Sequence, residues 1–286
     1  MMGEGMRYFR IAPDPRLNPW IKCYWWVEPD PRSQPASAPD LLLPDGHSEL
    51  VFRFAGEFSR WQLGDAARRA RMNQSYVIGG RARSVLTHSP GGLRMAGVKL
   101  DPRALRALLG RPLGDFRDNT VTLADLECRA LSQLEAQLAE LESVDTMPGL
   151  FDRFFLRHLP GELRDDAATE LLLRRIRLTR GAQPILKWAR EQRLDARTLE
   201  RRFVARVGMT PKQFARIERF KQSYYCLTTR GAAYLDGYYD ESHFDREFRQ
   251  FMGASPLAWF KRQPGYTAVI SNHLLERELG GPRRGS

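Results

Sequence analysis

The chain has 286 residues, a length that predicts two domains of ordinary size. Its 45 lysine and arginine residues against 34 aspartate and glutamate residues give a net charge of +11, which favours an acidic partner. Three widely separated cysteines predict neither a disulfide framework nor a zinc site, and because no run of about 18 apolar residues occurs we expect a cytoplasmic protein without a membrane partner.

The first hundred residues have the pattern of short β-strands. Four segments contain aromatic or β-branched residues between turn residues: 24–27, 41–43, 50–54 and 95–100. Pro44-Asp45-Gly46 predicts a tight turn between two of them, and the four prolines of 29–39 predict a loop. We therefore expect an antiparallel sheet or a small barrel.

From Asp101 onwards the apolar residues recur at helical spacing. Leucine and phenylalanine patterns predict helices over four ranges: 102–109, 123–141, 149–159 and 166–178. Pro160-Gly161 ends the third of these helices and predicts a domain boundary. The leucine-rich second helix and the phenylalanine-rich third helix are candidate surfaces for a homodimer.

A motif occurs twice in the last third of the chain, at a period of 45 residues. Both copies have an arginine, a phenylalanine, a glycine, a proline and an aromatic residue at matched positions: 201/246, 203/248, 208/253, 211/256 and 214/259. Two copies are too few for a solenoid, which needs about three. Positive charge is concentrated here, since residues 181–263 contain 16 basic and 9 acidic residues. A duplicated basic helical unit predicts a reader of double-stranded DNA.

The first copy has the pattern of a helix-turn-helix. Residues 184–192 predict the first helix, and Asp195 is suited to cap the second. On that second helix Leu199 and Phe203 face inward, and the outward residues are Arg197, Glu200 and Arg201. We expect residues 195–206 to enter a major groove, where an arginine can donate two hydrogen bonds to guanine.

The second copy repeats this pattern over residues 240–250. Asp240 is the predicted cap, and Phe244 and Phe248 face inward. The outward residues are Glu241, Ser242, Asp245 and Arg246. A helix from Pro211 to about Leu227 is predicted to join the two copies, and its length of roughly 25 Å suits two recognition helices in successive segments of the major groove.

Residues 182–262 resemble the AraC-type (AraC/XylS) family of bacterial transcription regulators. The strings at 197–203 and 237–248 and the Gly-Met-Thr-Pro and Gly-Ala-Ser-Pro closures are similar to that family's motifs. The resemblance implies two helix-turn-helix subdomains joined by a linker helix, bound to one face of an asymmetric DNA site, with RNA polymerase as a partner. The base-reading residues that it implies are Arg197, Glu200 and Arg201 in the first unit and Glu241, Ser242, His243 and Arg246 in the second.

The second copy departs from the family pattern in three respects. The family usually has glutamine where this chain has Glu241 and an apolar residue where it has Asp245. These carboxylates repel phosphate, although a carboxylate can also accept a hydrogen bond from cytosine N4. Only residues 228–231 separate Leu227 from Ala232, so the first helix of this copy is short. We therefore expect the first unit to be the main specificity element.

The N-terminal half is similar to a sensor-like domain often found ahead of this module, in particular at 43–46 and 77–80. This similarity implies a small-molecule effector. His47 and Glu49 resemble the beginning of a metal-binding cupin, but the nearest further histidine is His88, so we expect no metal and no cofactor. The tryptophans are expected either to line an apolar pocket or to fill the core: Trp20, Trp25, Trp26 and Trp61.

These observations predict an α+β protein with three segments. Residues 1–160 form a β-rich domain with trailing helices for sensing or dimerisation, residues 161–264 form an all-α domain with two helix-turn-helix subdomains, and residues 265–286 form a tail. The predicted function is that of a ligand-controlled transcription regulator without enzymatic activity. Two alternatives are a metal-cupin enzyme tethered to DNA and an interaction protein that no longer binds DNA.

Overall fold

The computed structural model of the chain describes residues 6–32, 38–141, 143–160 and 166–261. The strands are β1 (Met6–Ile11), β2 (Ile21–Pro29), β3 (Asp40–Leu42), β4 (Ser48–Ala55), β5 (Ser59–Gln62), β6 (Ala70–Arg71), β7 (Tyr76–Ile78), β8 (Val85–His88), β9 (Arg94–Leu100) and β10 (Thr120–Thr122). The helices are α1 (Pro102–Leu109), α2 (Leu123–Leu126), α3 (Arg129–Ala139), α4 (Met147–His158), α5 (Ala167–Leu178), α6 (Ile185–Glu191), α7 (Ala196–Val207), α8 (Pro211–Arg230), α9 (Glu241–Met252) and α10 (Pro256–Lys261). The α+β class, with a β-rich part before a helical part, is confirmed.

The strands form two antiparallel sheets. One sheet has the order β1-β2-β9-β4-β7-β10, and the other has the order β3-β8-β5-β6. The predicted strand segments lie in β2, β3, β4 and β9, and the turn Pro44-Asp45-Gly46 connects β3 in the smaller sheet to β4 in the larger one. Gly46 has a φ of 79°, and a Cβ there would lie 2.9 Å from the ring of Phe214, so both the backbone and the helical part require glycine.

Helices α1 to α4 pack against the larger sheet and form the first hydrophobic core. The prediction of one helix over 123–141 is wrong, because Glu127 has a φ of 50° and separates α2 from α3. The leucines and phenylalanines that suggested a dimer surface are buried in this core: Leu123, Leu126, Leu131, Leu134, Leu138, Phe151, Phe154 and Phe155. A side chain that the chain's own core surrounds cannot also pack against a second copy.

Helices α5 to α10 surround the second core. The predicted stripe of α8 is confirmed, since Phe214, Ile217, Phe220 and Tyr224 are each at most 1% exposed. At 20 residues, α8 is roughly 30 Å long and longer than predicted. Leu41 and Leu43 from the N-terminal part also belong to this core, so the smaller sheet packs directly on the helical part.

The supporting helix of the second copy is missing from the described residues. Helix α8 continues to Arg230 and ends at Gly231, which has a φ of 72°. The segment from Gly231 to Asp240 contains turns and no helix, because it is too short for a turn, a helix and a second turn. Ser223 of α8 instead donates a hydrogen bond to the carbonyl of Tyr234, so the linker helix itself supports this segment.

The predicted boundary and tail are only partly covered. Pro160 is the last described residue before 161–165, which lie outside the described residues. The predicted tail 265–286 also lies outside them. Among the described helices, none has the length and hydrophobicity needed to cross a membrane.

Candidate nucleic-acid interface

Helix α7 presents the predicted outward residues of the first unit on its N-terminal half. The Asp195 carboxylate accepts a hydrogen bond from the Thr198 amide at 2.7 Å, and hydrogen bonding from the Thr198 side chain and amide lowers the pKa of Asp195. Leu199 and Phe203 point into the core at 4% and 0% exposure. The exposed positions are Arg197, Glu200 and Arg201. The outward face of α7 is therefore basic and accessible.

Helix α6 supports α7 in the manner of a helix-turn-helix. Trp188 and Ala189 of α6 are buried in the second core, next to Leu199. Arg193 turns the chain between the two helices with a φ of 53°, a backbone conformation that glycine or asparagine adopts more readily. Gly208 then ends α7 with a φ of 81°.

Helix α9 presents a different surface in the second unit. Asp240 accepts a hydrogen bond from the His243 amide at 2.7 Å, which caps the helix. Phe244 and Phe248 are buried, as predicted. The exposed outward residues are Glu241, Ser242 and Arg246, and Asp245 is half-buried. With exposed Arg249 one turn further along the helix, this face has two carboxylates and two guanidinium groups, so it lacks the positive excess of α7.

His243 differs from the other predicted base-reading residues because its ring is engaged within the protein. The ring packs edge-on against Tyr238, with centroids 5.4 Å apart. Its Nδ1 accepts a hydrogen bond from the Tyr239 amide at 3.3 Å, and its Nε2 lies 3.7 Å from the Glu247 carboxylate. The ring is thus half-buried at the base of α9.

Glu247 is a structural residue that the sequence interpretation missed. Its carboxylate is 4% exposed and lies 3.0 Å from the Arg219 guanidinium and 3.5 Å from that of Arg216, both on α8. Burial raises the pKa of neighbouring Tyr238 to about 12, and the Glu247 charge adds to this effect. The only sequence signal was a glutamate directly before inward-facing Phe248. The ion pairs fix α9 to the linker helix.

The N-terminal candidates for a metal site belong to a buried ionic cluster. Asp45 binds the Lys99 ammonium, and Glu49 lies 3.3 Å from the Arg81 guanidinium and 3.7 Å from Lys99. Burial raises the pKa of Asp45, but the charge of Lys99 and a hydrogen bond from the His47 side chain outweigh it and hold that pKa well below its usual value. Among the described residues no group of three or more histidine, cysteine or acidic side chains is placed to hold a metal ion.

The tryptophans divide between core and surface. Trp25 and Trp26 are buried at 8% and 6% exposure, and the ring of Trp25 covers Gly97. Trp61 packs under the Arg69 guanidinium at 4.8 Å. Trp20 is half-buried and lines a cavity between the N-terminal and helical parts.

Two family models match separate parts of the chain. Residues 188–262 match the model described as a helix-turn-helix domain, and residues 9–122 match one described as a domain of unknown function. No curated protein matches the chain. These two matches cover the recognition helices and most of the β-rich part.

Solved structures with a similar course of the chain include ToxT and CuxR. ToxT from Vibrio cholerae O395 is 14% identical, with 88% of this chain and 94% of that chain covered and a TM-score of 0.42. ToxT bound to (E)-4-(8-methylnaphthalen-1-yl)but-3-enoic acid is 13% identical, with 96% and 99% covered and a TM-score of 0.41. The AraC-like transcriptional activator CuxR is 13% identical, with 74% and 78% covered and a TM-score of 0.27. These values are too low to transfer a ligand or a residue role.

The geometry of α6 and α7, the repeated motif and the match to the helix-turn-helix model agree with one another. The resemblance to the AraC type is therefore confirmed for the C-terminal part. The chain contains an AraC-type helix-turn-helix domain, preceded by a domain of unknown function, and is a DNA-binding transcription regulator.

Proposed function

We propose that the chain recognises a specific double-stranded DNA site chiefly through α7, placed in the major groove. The supporting observation is the division of α7 into two halves. Arg197 and Arg201 are exposed near its N-terminus, which is the part of a recognition helix that contacts bases. Near its C-terminus, the Ala205 carbonyl accepts a hydrogen bond from the Leu113 amide at 2.9 Å. The N-terminal domain thus holds the end of α7 that is not needed for reading bases.

The side chains of α7 suit hydrogen bonding to both bases of a G·C pair. Arg197 and Arg201 have the geometry to donate to guanine O6 and N7, and Glu200 can accept from cytosine N4. In the second unit we propose contacts from Glu241, Ser242 and Arg246, and only a minor one from the partly buried His243. The two carboxylates on the outward face of α9 make the second unit the weaker reader, because phosphates repel them.

The linker helix sets the distance between the two units. Helix α8 is roughly 30 Å long, which is close to the ~34 Å between successive major-groove segments on one face of DNA. We therefore propose that the two recognition helices, α7 and α9, lie in successive segments of the major groove. These helices correspond to the ranges 195–206 and 240–250 that the sequence predicts. RNA polymerase is the proposed partner at the promoter, and a homodimer would need a surface other than the buried leucines and phenylalanines of the helices at 123–141 and 149–159.

We also propose that the N-terminal domain, residues 1–160, responds to a small-molecule effector and controls the DNA-binding domain, residues 161–264. Extensive contacts between them support this division of roles. Asp101 of the first domain lies 3.0 Å from Arg177 of the second, and Arg103 binds Glu170. A ligand that changes these contacts has a direct route to the recognition helices.

The test is selection of genomic fragments by the purified full-length chain, followed by footprinting at low and at physiological salt. We expect a protected asymmetric site, with the stronger protection over the segment that α7 reads. Binding that is equal on all fragments and lost at physiological salt would contradict the proposal. Arg129→Ala removes an exposed arginine from α3 and serves as the charge-matched control for variants of α7.

A further inference from the structure

A cavity of about 430 Å³ lies between the two domains, away from the recognition helices. We call it the seam cavity. It is lined by Trp20, Lys22 and His47 from the N-terminal domain and by Arg177, Arg180 and Lys221 from the DNA-binding domain, together with other side chains. Its volume is within the range of pockets that hold small molecules. Both domains contribute cationic side chains to the same space.

The carboxylates in the seam cavity already have cationic partners. Asp101 lies 3.0 Å from Arg177 and also binds Arg103. Glu218 lies 3.0 Å from the Lys221 ammonium. Burial raises the pKa of Asp101, but the charges of Arg177 and Arg103 more than offset it and keep this pKa well below its usual value. Each of these carboxylates is therefore already paired with a cation of the protein.

Two other cations line the seam cavity: Lys22 from the N-terminal domain and Arg180 from the DNA-binding domain. Within the described ranges neither forms an ion pair with a carboxylate, and the Arg180 guanidinium lies over the Tyr234 ring at 5.9 Å. Both side chains are exposed to the solvent in the seam cavity. An anionic ligand would meet one uncompensated charge on each side of the seam.

Two backbone irregularities place these cations. The pairing of β2 with β9 shifts register between Ile21 and Cys23, so Lys22 is the extra residue of a bulge, a feature that redirects a side chain. Arg180 has a φ of 50°, a left-handed conformation in which glycine or asparagine is usual. The left-handed Arg180 ends α5, where the Gly181 amide donates a hydrogen bond to the Ile176 carbonyl at 2.9 Å, and both cationic side chains are exposed.

We propose that the seam cavity is an effector site for a small organic dianion, either a dicarboxylate or a phosphate monoester, held by Lys22 and Arg180. Two uncompensated positive charges match two negative charges, and lysine and arginine form short charge-assisted hydrogen bonds with carboxylate and phosphate oxygens. The regulatory part of this proposal rests on the proposed function, whereas the binding site itself does not.

A ligand in this position would connect the two domains physically. The same stretch of α8 that lines the cavity also contacts the N-terminal turn, because Lys221 donates a hydrogen bond to the Asp45 carbonyl at 3.1 Å. Two residues before Lys221 on the same helix, Arg219 forms an ion pair with Glu247 of α9. A dianion that binds only when the two domains are in contact stabilises that arrangement by mass action. Because α8 lines the cavity and also holds α9, binding of the dianion stabilises the position of α9.

The experiment is calorimetric titration of the full-length chain, without DNA, in phosphate-free buffer. Succinate and glycerol 3-phosphate are the dianion probes, and succinamide and glycerol are their uncharged counterparts. We expect saturable binding of at least one dianion and none of the uncharged compounds. Which of the two dianions binds decides between a carboxylate and a phosphate ligand.

The variant Lys22→Gln/Arg180→Gln should weaken binding of that dianion by roughly tenfold or more per removed cation. Arg129→Gln/Arg157→Gln removes two exposed arginines from α3 and α4 and should leave the affinity unchanged. Equal heats for dianions and uncharged compounds, or full binding by the Lys22/Arg180 variant, would overturn the proposal. Since no DNA is present, a failure of operator recognition cannot produce either result.

Discussion

The two copies of the 45-residue motif share a pattern but are held in place by different interactions. In the first copy a separate helix, α6, packs against the recognition helix, and the outward face keeps Arg197 and Arg201. In the second copy no separate helix is present in the described segment, and buried Glu247 ties α9 to α8. Both recognition helices pack aromatic side chains against α8, and in the second copy ion pairs of Glu247 take the place of the contact with a separate helix. A duplicated sequence can therefore preserve a position in space while its support and its surface chemistry change.

The N-terminal domain contacts the same turn in both copies. A Cβ at Gly208, after α7, would lie 3.1 Å from the Leu113 carbonyl oxygen. A Cβ at Gly253, after α9, would lie 3.2 Å from the Leu63 side chain. One domain is therefore in contact with the ends of both recognition helices, and a change in its position reaches both.

The largest effect is expected from the matched positions 202 and 247. Glu247→Gln should lower the free energy of unfolding by about 3 kcal/mol, because it leaves Arg219 and Arg216 without their buried anionic partner. Arg202→Gln, at the matched position of the first copy, should cost about 0.5 kcal/mol, since its side chain is 54% exposed and lies 3.9 Å from Asp166. Chemical denaturation of both variants measures the difference. Equal losses would show that the second copy does not depend on ion pairing.

The second prediction compares the two copies on DNA. Arg201→Ala should reduce affinity for the selected site by about 1–3 kcal/mol and relax specificity at one base pair, because a bidentate contact to guanine is lost. Arg246→Ala, at the matched position of α9, should cost less than half of that amount. Fluorescence anisotropy on the site and on single-base variants measures both effects. A larger loss for Arg246→Ala would reverse the assignment of the main reader.

The sequence predicted those features that local pattern determines. The spacing of apolar residues identified α1, α5 and the buried stripe of α8, and Asp195 and Asp240 identified the caps of both recognition helices. Features that depend on distant partners were not predictable. Glu247 has the same local signature as an exposed glutamate, and its burial becomes evident only when Arg219 is placed opposite.

Backbone features without a local signal were missed for a related reason. The leucine spacing of 123–141 continues through Glu127, although a left-handed residue there divides the helix. Likewise, Lys22 lies in a bulge that only the register with β9 reveals. The exposure of the predicted base-reading residues follows from helical periodicity, whereas their contacts with DNA stay a prediction.

The third prediction concerns the ionic contact between the domains and its dependence on pH. Asp101→Asn keeps a residue able to cap α1 but removes the charge that Arg103 and Arg177 share, and it should cost about 1 kcal/mol at neutral pH. The folded-state pKa of Asp101 is lowered, so its stabilisation is present above the unfolded value of 3.8 and is lost as the pH falls towards the folded value. Denaturation at pH 7 and at pH 3 should therefore show a smaller difference between variant and parent at pH 3. A difference that grows on acidification would mean that the carboxyl is not stabilised in its ionised form.

The smallest effect is expected from the carboxylates on the outward face of α9. Asp245→Asn should strengthen binding to unrelated duplex DNA by about 0.5 kcal/mol at low ionic strength, because it removes a carboxylate that repels nearby phosphates. Glu140→Gln makes the same change of charge at an exposed position just after α3, outside the helices proposed to bind DNA, and should leave the affinity unchanged. Anisotropy titrations with a duplex of unrelated sequence compare the two variants. If Asp245→Asn has no more effect than Glu140→Gln, α9 does not approach the phosphates, and the first copy binds DNA without the second.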